Sequence, residues 1–236
     1  MPLIPWRRRP RRASMTVVEH LDELRKRLII SLASISVAAV VGFVFFEPIF
    51  GFLIRPYRQA VLLLPLAERP PGAFAEGDLI YSSPVDPFLT FLKVGFFSGL
   101  LIALPVVLYQ LWRFITPGLT KRERRLAIPF VGSSVLLFAG GVAFAYLTIP
   151  RGLSFLLSFG SENLIPLLTV DRYFSFLIFL VLGFGLSFEF PLVMIFLAAA
   201  RVVSTTQMRK WRRYVYFGAL VFAAVITPTQ DPYTML

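Results

Sequence analysis

No cysteine occurs anywhere in the chain, so disulfides, thiolate metal sites and cysteine nucleophiles are excluded. Histidine is almost as scarce: His20 is the single one, and any histidine-based metal site or Ser-His-Asp triad would have to centre on it. The patterns G-x-x-x-x-G-K-[ST], H-E-x-x-H and G-x-S-x-G do not occur, so the chain carries no ATPase or protease signature of its own. Charge is thin as well, at 16% of 236 residues, whereas 57% are hydrophobic and the mean hydropathy is +0.74. A soluble domain sits near ~45–50% apolar. No soluble core could hide this much apolar surface, and lipid must be the solvent for much of the chain.

Apolar runs mark five spans, at about 28–46, 88–112, 126–147, 173–200 and 214–226. Crossing a bilayer core takes about 20 residues, with a range of about 17–25. The fifth run is short and needs its flanks, or a thinned bilayer, to cross. The fold class this predicts is all-α, a polytopic transmembrane helix bundle over 16–236, preceded by a disordered basic arm at 1–15. Thr16 and Glu19 fit a capping box, and Leu21, Leu24 and Leu28 recur at helical spacing. They predict a short amphipathic helix feeding directly into the first span. Seven prolines in 47–87 are expected to forbid a long helix there, leaving short interfacial helices and turns over the outer mouth of the bundle. After a turn at Thr227 and Pro228, apolar residues resume at Tyr233, and a sixth span is expected to follow.

The net charge of +11 is unevenly placed. With the spans alternating across the bilayer, one side (1–27, 113–125 and 201–213) holds 18 Lys and Arg against 4 Asp and Glu. The other side holds 5 against 8. The positive-inside rule puts the first side, and the N-terminus, in the cytoplasm. Topology therefore accounts for the basic balance, and nucleic acid is not needed as a partner.

Carboxylates on that basic face are Glu19, Asp22, Glu23 and Glu123. Glu23 and Glu123 could grip guanidinium groups through paired charge-assisted hydrogen bonds. Structural roles fit them too: Glu23 is spaced i,i+4 from Arg27, and Glu123 closes a capping box with Thr120. Glu189 lies well inside the fourth span, where a charged carboxylate costs at least ~2.5–3.5 kcal/mol. It must be neutral, paired or hydrated, and it is a functional candidate or a polar link between two helices. Pro191 leaves the carbonyl of Ser187 without its helical donor. Gln110 is the other polar group within the spans. Lys93, near the outer end of the second span, is expected to snorkel to the headgroups. Gly95 and Gly99 match G-x-x-x-G, which supports close helix approach without naming a partner.

Four blocks together resemble the TatC family of the twin-arginine protein translocase. The first is His20-Leu21-Asp22-Glu23-Leu24-Arg25-Lys26-Arg27-Leu28. The second runs Leu108-Tyr109-Gln110-Leu111-Trp112-Arg113-Phe114-Ile115-Thr116-Pro117-Gly118-Leu119, with Glu123-Arg124-Arg125 after it. The third is Phe184-Gly185-Leu186-Ser187-Phe188-Glu189-Phe190-Pro191, and the fourth is Thr227-Pro228 with Asp231. They stand in the family's order from about residue 16 onward. The resemblance implies a six-span concave glove with both termini cytoplasmic, in the bacterial inner membrane, of which the sixth span is missing here. An extra residue before Asp231 leaves Gln230 and Asp231 competing for one acidic position. By resemblance, Glu23, Glu123 and Phe114, with Arg25, bind the signal peptide's arginine pair, and Glu189 is the family's intramembrane glutamate. Thr227, Pro228 and Asp231 belong to a partner-contact region beside the fifth span. The implied partners are TatA- and TatB-type single-span membrane proteins, twin-arginine signal peptides of folded clients and membrane lipid. The resemblance implies transport driven by the proton-motive force, without cofactor or ATP, and allows a homo-oligomer within the complex. The rival reading is a proton-coupled secondary transporter with Glu189 as carrier; no inverted repeat favours it.

Overall fold

The computed structural model describes residues 17–65, 79–115, 127–158, 168–199, 203 and 205–226. Among them are six helices: α1 (Val17–Val44), α2 (Phe46–Leu62), α3 (Asp86–Ile115), α4 (Ala127–Leu157), α5 (Val170–Ala199) and α6 (Thr205–Ile226). The class is all-α, as expected. Four of the helices, α1, α3, α4 and α5, are long and apolar enough to cross a membrane. α6 is not among them, because its first half carries Arg209, Lys210, Arg212 and Arg213 and only its second half is apolar. The basic arm, Thr16, Glu123 with its cap Thr120, Thr227, Pro228, Gln230 and Asp231 all lie outside the described residues.

α1 has no proline to interrupt it, and the amphipathic lead-in and first span form one helix. α1 packs antiparallel on α3 along most of its length, and small residues set the distance. A Cβ on Gly99 would sit 2.6 Å from the backbone of Ala39, and one on Gly42 would sit 2.5 Å from the carbonyl oxygen of Gly95. The G-x-x-x-G pair therefore has its partner in α1. α4 and α5 form a second antiparallel pair, with Phe138 buried against Gly185.

The segment after α1 departs from expectation. Instead of short pieces, α2 is a 17-residue helix that continues through Pro56. Proline lacks the N–H that should reach the carbonyl of Phe52 four residues earlier. Here the Tyr146 hydroxyl of α4 donates to that carbonyl at 2.7 Å, and the two rings stack with centroids 4.6 Å apart. The Tyr173 hydroxyl of α5 donates to the next carbonyl, that of Leu53, also at 2.7 Å. Both tyrosines lie far off in sequence, and they hold α2 over the end of the bundle where α1 finishes. There Leu53, Ile54, Tyr57, Ala60 and Val61 are buried against Ile149, Leu153 and Leu177. α4 likewise runs ten residues past its expected end at 147, straight through Pro150, because Ile149, Leu153 and Leu157 have this core to enter.

Lys93 also differs. It does not snorkel to headgroups; its Nζ pairs with Asp171 Oδ1 at 2.5 Å and donates to Ser175 Oγ at 2.9 Å, tying α3 to the start of α5. Nearby, the N–H of Val170 donates to the carbonyl of Ile80 at 2.8 Å.

Tyr173 is fully buried, so Tyr173→Phe should cost about 0.5–1.5 kcal/mol by losing its hydrogen bond to the Leu53 carbonyl. Tyr146→Phe should cost less, and that cost should shrink in a Pro56→Ala background, where residue 56 regains an N–H for Phe52. Unfolding in detergent, run as a double-mutant cycle, measures the coupling; strictly additive effects of P56A and Y146F would contradict the assignment.

Candidate functional site

The antiparallel register of α1 and α3 fixes which residues meet at the end of the bundle where α1 begins and α3 ends. Moving outward along α1 from Gly42 and Ala39, opposite Gly95 and Gly99, the chain reaches Arg27 opposite Gln110 and His20 opposite Phe114. Arg27 Nη1 donates to Gln110 Oε1 at 3.2 Å. Its Nε donates to Glu23 Oε1 at 3.0 Å, and Nη2 binds the same oxygen. The other carboxylate oxygen, Glu23 Oε2, is buried and has no hydrogen-bond partner among the described residues. The His20 and Phe114 rings stack one turn away, 4.4 Å apart and 12° from parallel.

Burial separates this pair from its neighbour. The Glu23 and Arg27 side chains are only 17% and 15% exposed, so water screens them weakly. Asp22 and Lys26, one position back in register, pair at 2.8 Å but are 53% and 72% exposed. An exposed i,i+4 pair of that kind contributes about 0.3–0.5 kcal/mol. The i,i+4 reading of Glu23 with Arg27 is therefore correct, and it does not use up the carboxylate.

Gln110 is part of this cluster; it lies inside the candidate span Asp86–Ile115, five residues from the end of α3, about 7 Å along the axis. Arg25 is exposed on another side of α1 and is not part of the cluster. His20 and Arg27 join the site without having been assigned a binding role. Their signals were modest: the only histidine of the chain, and a basic residue one turn from Glu23.

Glu189 lies in a second polar site. It is 8% exposed, and Ser134 of α4, fully buried, donates to its Oε2 at 2.6 Å. Glu189 Oε1 has no partner among the described residues. Ser187, one turn before Pro191, turns its hydroxyl back to the carbonyl of Gly183 at 2.6 Å. Ser134 had no assigned role; its only sequence signal is the polar Ser133-Ser134 step inside an apolar run. Among the described residues no cluster of His, Cys, Asp and Glu could hold a metal ion.

Comparison with known proteins agrees with this geometry. The family model for TatC, described as Sec-independent protein translocase protein, matches residues 19–236. The TatC protein of Frankia casuarinae is 46% identical over 225 residues, covering 94% of this chain and 61% of its own length. This chain thus spans less than two thirds of that relative. The TatC of a Synechocystis strain is 40% identical over 227 residues, covering 95% of this chain and 82% of its own. A crystal structure of the twin-arginine translocase receptor TatC in DDM superposes with a TM-score of 0.73 at 38% identity, covering 92% of this chain and 91% of that one. A match over nearly the whole described bundle, in sequence and in fold, makes this chain a multi-pass membrane protein of the TatC family.

Proposed function

We propose that the chain is the signal-peptide receptor and scaffold of a twin-arginine translocase in a bacterial inner membrane, with its N-terminus in the cytoplasm. The observation that carries this reading is Glu23 Oε2, a buried carboxylate oxygen left open at the cytoplasmic end of α1. Arg27, itself steadied by Gln110, holds the carboxylate by its other oxygen, so it is already oriented when a cation arrives. Arg27 also neutralises Glu23, and a ligand with two guanidinium groups needs a second acid. Glu123 supplies it in this reading, with Phe114 presenting an aromatic face beside the site. The peptide's apolar stretch then enters the bundle's concave side, and TatA- and TatB-type single-span proteins dock near the fifth span. The chain makes and breaks no bond; the proton-motive force does the work.

Glu23→Ala and Glu123→Ala should each weaken binding of an Arg-Arg signal peptide about tenfold or more, the worth of a charge-assisted hydrogen bond. The Lys-Lys version should lose less, since lysine makes no bidentate contact. Titration of labelled peptide against the folded protein reads both, and unchanged affinity in both variants would overturn the site.

The topology has its own check. A cysteine at Thr120 should label only from the cytoplasmic side and one at Gly77 only from outside. Labelling of both from one side would refute the charge-based orientation.

Glu189 separates the receptor from the proton-coupled transporter. As a hydrogen-bonding group held by Ser134, it should tolerate Glu189→Gln, because the amide carbonyl still accepts from Ser134 and the NH₂ still donates outward. Glu189→Ala should lose more transport of a folded client into inverted vesicles. Equal inactivity of the Gln and Ala variants would favour a carrier that must titrate.

A further inference from the structure

We propose that the space between α5 and α6 binds one anionic phospholipid, with its phosphate on the basic turn of α6 and an acyl chain in the groove behind it. A groove of about 670 Å³ separates the two helices, lined by Leu186 and Phe190 of α5 and by Val215, Gly218 and Ala219 of α6. The hydroxyl of Ser187, which also lines it, is spent on its own helix at the carbonyl of Gly183. The groove therefore offers hydrocarbon and little else.

Trp211 and Tyr214 line this groove and also a second cleft, formed with Arg209, Lys210, Arg212, Arg213 and Tyr216. The apolar slot thus opens directly onto four cations. All four are exposed, and none has a carboxylate partner among the described residues. Two of the guanidinium groups are held in place by tyrosines. Arg212 Nε donates to the Tyr216 hydroxyl at 2.7 Å, and Arg213 Nη2 donates to the Tyr214 hydroxyl at 3.0 Å. Their Cζ atoms lie 5.3 and 4.8 Å from the centroids of those rings. Each guanidinium uses one N–H this way and keeps the others for phosphate oxygens. Orientation by charge explains how many cations lie on this side. It does not explain why they sit at the mouth of an apolar slot, flanked by tryptophan and tyrosine, the side chains suited to headgroup depth. An anionic lipid of the cytoplasmic leaflet satisfies both halves at once.

The test uses the full chain, delipidated in detergent and offered equal amounts of phosphatidylglycerol and phosphatidylcholine with identical chains. Native mass spectrometry counts the lipid retained. The expected result is one lipid, with about a tenfold preference for phosphatidylglycerol. Arg212→Gln with Arg213→Gln should remove most of that preference, leaving about twofold or less. Arg8→Gln with Arg9→Gln, in the N-terminal arm, should leave it unchanged. At Gly218 a Cβ would meet nothing within 4 Å, so Gly218→Leu fills the groove without a clash. It should reduce retention of both lipids while sparing the preference. Equal retention of the two lipids by the unmodified chain would overturn the proposal, as would an equal effect of the arm substitutions. Displacement by inorganic phosphate, with G218L silent, would reduce the site to a phosphate cleft and overturn it too. A dimer dissolved by G218L would make the groove a protein interface and have the same force.

Discussion

The close approach of α1 to α3 is the contact on which the site around Glu23 depends. In lipid there is no hydrophobic drive between helices, and association rests on packing and on interhelical hydrogen bonds. Gly42, Gly95 and Gly99 with Ala39 let the two backbones meet, and a side chain at any of the glycines would strike its neighbour. Contact at that distance leaves one register. Carried about four turns toward the N-terminus of α1, that register puts Arg27 against Gln110 and His20 against Phe114. The site is thus positioned by residues that carry no chemistry.

The outer end follows a different rule. Pro56 and Pro150 break ladders in α2 and α4, and the broken ladder in α2 is repaired from outside the helix. Two tyrosine hydroxyls from α4 and α5 reach the α2 carbonyls of Phe52 and Leu53. Where water is absent, an orphaned carbonyl costs several kcal/mol, so a donor from a neighbouring helix is the natural remedy. The repair also tells α2 where to lie, since each hydroxyl has one carbonyl to meet. Lys93 with Asp171 adds a charged tie on the same side, between α3 and α5.

Hydropathy alone placed α3 and α5 to within three residues, because lipid imposes one period and one length; α1 begins eleven residues before its expected span, because the amphipathic lead-in continues into it. The four blocks of sequence led to Glu23, Phe114 and Glu189 for the same reason that they led to the family: short motifs report residue identity well. Partnership was another matter. Ser134 stands 55 residues from Glu189, and Asp171 stands 78 from Lys93, distances at which no local pattern speaks. α2 was misjudged because proline's cost was reckoned for a helix standing alone. Gln110 was read without its partner because Arg27 stands 83 residues away. In each case the missing information was a neighbour supplied by the fold.

The two carboxylates of interest share one arrangement. Glu23 is held through Oε1 by Arg27, and Glu189 through Oε2 by Ser134. In each the second oxygen is buried with no partner among the described residues. Burying a polar oxygen without a partner costs about 1–3 kcal/mol, and a packed bundle has few reasons to keep two such defects. One anchored oxygen fixes the direction of the carboxyl group, and the open oxygen then meets its ligand with little rotamer entropy left to lose. What differs is the anchor. At Glu23 it is the guanidinium of Arg27, a charged donor. A neutral hydroxyl at Glu189 imposes no charge and suits a hydrogen bond to another helix. The anchors, and not the carboxylates themselves, thus set the two sites apart.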